Sequence, residues 1–87
     1  MLLPGSDLIE QGIADLRQGV ESVPSLLVSI GFPRLKRLGL EIDRPFDLPE
    51  LRLYAALAAE DQDSAHSRYN SLIRRLVSFE RAAECAS

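Results

Sequence analysis

Residues 65–85 read AHSRYNSLIRRLVSFERAAEC, and Ala65, Tyr69, Leu72, Leu76, Phe79, Ala83 and then Ala86 recur along them at spacings of four and three. This is a sustained heptad seam on one amphipathic helix, broadened on one flank by Ile73 and Val77. At 1.5 Å per residue such a helix is roughly 30 Å long, which makes it the dominant element of a short chain. The polar run Glu60-Asp61-Gln62-Asp63 precedes it, and Asp63 or Ser64 is placed to cap it.

Working upstream, Asp47 and Glu50 have the spacing of a capping box, Pro49 suits a first turn, and Phe46 can staple onto Leu51. A helix is expected over 51–59. It carries Leu51, Tyr54, Ala55 and Ala58 on one side and Leu53 and Leu57 on another, too wide an apolar arc for a single contact. Such a helix is either central or presents a second face to a partner.

The first 43 residues hold two more helices and a basic turn. Over Ser6–Val20, Ile9, Ile13, Leu16 and Val20 form one stripe, with Asp7 and Glu10 in capping-box register and Gly19 as a stop. Gly12 inside it lowers helix propensity by roughly 1 kcal/mol, a cost accepted where another backbone approaches closely. A second helix is expected from Ser22 to Ile30, capped by Ser22, with Pro24 in its first turn and Gly31 at its end. Next, Pro33–Leu38 is a short turn that turns Leu35 and Leu38 inward and leaves Arg34, Lys36 and Arg37 to solvent. In the connector 40–45, Leu40 and Ile42 dip into the core. The fold class is therefore all-α. It is a compact bundle of about four helices plus one short helical turn, in a single domain over 1–87, with a long C-terminal helix and antiparallel neighbours.

Composition narrows the function. Of 87 residues, 46% are hydrophobic and 26% charged. With a mean hydropathy of −0.02 the chain is neither disordered nor able to span a bilayer, and the start Met-Leu-Leu-Pro-Gly has no secretory pattern. The expected address is cytoplasmic, without membrane association. The net charge of −3 argues against a wholly nucleic-acid-facing surface. One Cys and one His exclude an internal disulfide and a structural zinc site from these side chains alone. Glycine-rich phosphate loops, nucleophile elbows and His-Glu-x-x-His are all absent, so no catalytic residue, metal or cofactor is expected and the chain does not read as an enzyme. Asp61 and Asp63 lack the register of a calcium loop, and Glu80 and Glu84 read as solvated carboxylates.

Two groups of residues could carry recognition. His66, Arg68, Tyr69, Asn70 and Arg75 concentrate hydrogen-bonding side chains beside the seam of the last helix. Tyr69 lies on the seam, while Arg68 and Arg75 stand where coiled-coil flanking charges select partners. Arg34, Lys36 and Arg37 could form an anion or nucleic-acid patch, although about six residues are too few for a recognition helix. The favoured reading is a non-catalytic helical interaction or regulatory module. It would be a homodimer or the small subunit of a complex, such as a regulator or antitoxin, because the long seam outruns what its own domain covers. The alternative is a small nucleic-acid- or anion-binding regulator acting through Arg-rich surfaces.

Overall fold

The computed structural model describes residues 3–86 as five helices: α1 (Ser6–Arg17), α2 (Val23–Ile30), α3 (Phe32–Arg37), α4 (Pro49–Glu60) and α5 (Ala65–Ala86). No strand occurs among the described residues, so the all-α class stands. The radius of gyration is 12.4 Å, close to the ~12 Å expected for one packed domain of this length.

The centre of the molecule is α2, which touches each of the other four helices. Its sequence explains the position. Leu26, Leu27 and Val28 are consecutive and all fully buried, and Ser25 and Ser29 on the remaining side are buried too, so the helix is surrounded on every side. It starts where expected: the Ser22 hydroxyl accepts the Ser25 N–H at 3.1 Å, and the Ser25 hydroxyl accepts the Ser22 N–H at 2.7 Å. The Ser22 hydroxyl also donates to Asp15 at 2.7 Å, tying α1 to α2. Gly12 lies against α2 at that contact. A Cβ there would lie 2.3 Å from the Pro24 carbonyl oxygen, so the propensity lost at Gly12 is the condition for α1 to sit on α2.

Helix α1 ends at Arg17 rather than reaching Val20. Gly19, at φ +73°, lets its own N–H reach the Leu16 carbonyl and the Val20 N–H reach that of Asp15, a Schellman closure that leaves Val20 outside the helix and exposed. The expected Asp7–Glu10 box does not form, because the N-cap is Gly5 in the left-handed region and the Ser6 N–H is taken by the Leu3 carbonyl. The Asp47–Glu50 box fails for a related reason. Pro49 occupies the first helical position, which makes Leu48 the N-cap and puts Glu50 one place short of the box register. The Phe46–Leu51 staple is lost with it. The residue at the stapling position is Arg52, whose guanidinium stands 6.0 Å from the Phe46 ring centroid, while Leu51 points to water.

In the connector, Ile42 is buried and Leu40 half-buried as expected. The Phe46 N–H donates to the Ser29 hydroxyl at 3.1 Å, and that hydroxyl donates to the Ser25 carbonyl, so the long loop is pinned to α2. Leu35 anchors α3 in the core. The seam of α5 is covered within the chain along most of its length. Ala65, Leu76 and Phe79 are buried, Tyr69, Leu72 and Ala83 are half-buried, and Ala86 alone of the seam is exposed. The helix is long, yet α2 and α4 meet it, and the overhang expected of it shrinks to its last turn.

Candidate interaction surface

The apolar surface that folding leaves uncovered belongs to α4. Leu53 and Leu57 point inward and are fully buried. With 3.6 residues per turn, Leu51, Ala55 and Ala59 then fall on the opposite side, with Leu48 preceding them and Tyr54 and Ala58 on one shoulder. Leu48 is 67% and Leu51 68% exposed, and Tyr54 is also open to solvent. Leu48 moreover holds φ +49°, a left-handed conformation that costs a non-glycine residue roughly 1–2 kcal/mol.

The Tyr54 ring meets Tyr69 of α5 with centroids 5.8 Å apart and planes tilted by 56°, so the apolar surface continues from α4 onto α5. Burial pushes the Tyr69 hydroxyl up from the ordinary tyrosine range, and the nearby charge of Glu50 pushes it further. The other residues of the α5 group divide. His66 and Asn70 are one turn apart, exposed, and within 3.2 Å of each other. Arg68 is engaged by Glu60 at 3.2 Å and Arg75 by Asp7 at 3.8 Å, so both guanidiniums are held by the chain's own carboxylates.

The basic turn is arranged differently from the expectation that all three of its bases stand free. Arg34 is half-buried and paired with two acids of α5, Glu84 through a hydrogen bond and Glu80 at 3.7 Å. Glu80, expected to be solvated, is only 5% exposed and lies beside Gly31 and Leu76. Burial raises its carboxyl above the ordinary glutamate range against the opposing pull of Arg34, whereas the hydrogen bond from Arg34 lowers that of Glu84. Lys36 stands 5.4 Å from the Phe32 ring centroid. Arg37 is exposed on the rim of a cleft of about 420 Å³ shared with Arg34, Leu38 and Glu84. Of the three bases, Arg34 is thus engaged within the chain, while Lys36 and Arg37 are exposed.

Sequence reasoning recognised that α4 is apolar over a wide arc but not which side faces out. Periodicity alone separates the two sides of α4 but does not choose between them, because both are apolar. No local signal announces the meeting of Arg34 with Glu84 across a separation of 50 residues. Comparison with known protein families, with curated proteins and with solved structures finds no match to this chain. Among the described residues, no helix is long and apolar enough to cross a membrane.

Proposed function

We propose that the protein is a non-catalytic interaction module, a regulator or small subunit of a complex, that holds a protein partner on the outer face of α4. The observation that carries this reading is the exposure of Leu48 and Leu51. Both are large apolar side chains beside an exposed tyrosine, on the side of a helix whose other side is fully committed to the core. Scattered apolar residues are ordinary on a protein surface, but a contiguous row continued onto a second helix marks a place where another surface fits. Tyr69, with His66 and Asn70 beside it, supplies the aromatic and hydrogen-bonding rim typical of such contacts. Arg68 and Arg75 act less directly, since a partner would first have to draw them from Glu60 and Asp7. The reading as a nucleic-acid- or anion-binding regulator draws less support, because Arg34 is already occupied.

Substituting Leu51→Asp tests the proposal. The side chain is exposed, so melting should stay within about 3 °C of wild type. Association, with a second copy by sedimentation of the purified chain or with another protein by cross-linking in native lysate, should be lost. Wild-type and Leu51→Asp proteins that behave identically in both measurements would refute it.

A further inference from the structure

Resting on that interaction reading, we infer that the occupant of the α4 face is an amphipathic helix of a different protein, carrying Lys or Arg at both ends of its apolar stripe. The argument is one of charge. Leu48, Leu51, Ala55 and Ala59 give the face a neutral, apolar middle, and its small residues allow a helix to approach closely, at interaxial distances of about 8–10 Å. Its ends are acidic. Asp47 and Glu50 stand at the start of α4, and Asp61 and Asp63 just past its end. None of these four forms an ion pair among the described residues. The nearby bases are engaged elsewhere, Arg52 with Glu21 and Arg68 with Glu60.

This pattern disfavours a second copy of the same face. Antiparallel docking lays Asp47 and Glu50 over the other copy's Asp61 and Asp63, and parallel docking lays each acid over its own counterpart. Both arrangements set acid against acid, which opposes association. A helix with bases at its ends meets both acidic ends at once. Glu50 and Asp61 are separated by roughly 17 Å along the helix axis, so the matching bases lie about eleven residues, or three turns, apart.

Two designed helical peptides with the same leucine stripe, one Lys-flanked and one Glu-flanked, provide the probes, with binding followed by fluorescence anisotropy. The Lys-flanked peptide should bind wild-type protein at least tenfold more tightly at low salt, and the gap should close as salt rises toward 1 M. Leu51→Asp should lose both peptides even though it adds negative charge, which separates docking on the face from general attraction to an acidic protein. An Asp61→Lys/Asp63→Lys variant should lose or reverse the preference. Equal affinity, a reversed preference in wild type, or binding of neither peptide overturns the inference. If neither peptide binds but the wild-type chain sediments as a dimer that Leu51→Asp disperses, the occupant is a second copy and the interaction reading survives. If neither peptide binds and no association depends on Leu51, both readings fail.

Discussion

On the outer side of α4, Leu48 and Leu51 stand in water, whereas at the corner where α3 meets α5 a glutamate is buried with an arginine over it. Each region carries a folding cost, but of a different kind. Exposed Leu48 and Leu51 contribute almost nothing to the monomer, so removing them costs the fold little, and their value lies in what they can contact. Buried Glu80 is costly alone and tolerable with Arg34, so it makes α3 and α5 depend on each other. A surface kept for recognition and a polar lock inside the structure are therefore distinguishable by what happens when one member is deleted.

The largest contrast lies within α4 itself. Leu53→Ala removes a fully buried side chain and should cost about 2–5 kcal/mol, while Leu51→Ala two residues earlier should cost less than about 0.5 kcal/mol. Urea denaturation of both variants measures the difference, and similar losses would mean that the outer face is not free. At the corner, Arg34→Ala leaves Glu80 buried without its cation and should lower the unfolding midpoint. Adding Glu80→Gln to that variant should restore much of the loss, and a double variant no more stable than Arg34→Ala would show that the pair is not coupled.

Titration gives a smaller effect with opposite signs at two carboxylates one turn apart. The folded-state pKa of Glu80 is raised, so its contribution to stability is complete below the ordinary glutamate range and is lost as pH rises through the raised value. For Glu84 the pKa is lowered, so its contribution is present above the ordinary range and is lost as pH falls through the lowered value. Stability measured against pH should accordingly lose its decline on the alkaline side of that range in Glu80→Gln, and part of its acid-side decline in Glu84→Gln. Smallest of all, the Lys36→Ala/Arg37→Ala double variant should change stability by less than about 0.5 kcal/mol, as expected of bases that secure nothing in the core.

What the sequence revealed was local. The stop at Gly19, the Ser22 cap and the close approach at Gly12 are each decided within a few residues or by a single missing side chain, and they were legible, whereas the place of Val20 in the α1 stripe was not borne out. The start of α4 was misread because two local signals competed: the Asp47–Glu50 spacing favoured one register and Pro49 the next. Proline prevailed because it has no N–H to satisfy at the first helical position. The outward side of α4 could not be assigned until α2 was known to be the centre. The corner was illegible because its partners are far apart in the chain. On α5, a periodic seam states how much apolar surface must be covered but not by what, and neighbours in the same chain cover most of it.

Leu48 has a consequence for how such a chain changes under selection. A left-handed backbone and an exposed apolar side chain coincide there, and Gly or Asn would relieve both at once. A library of variants screened only for resistance to heat should therefore drift at position 48 toward those residues, whereas one screened for retention of a partner should keep a large apolar residue. The two lineages would separate at a position that contributes nothing to the packed interior, and the position where they diverge would itself report that recognition, rather than folding, maintains the leucine.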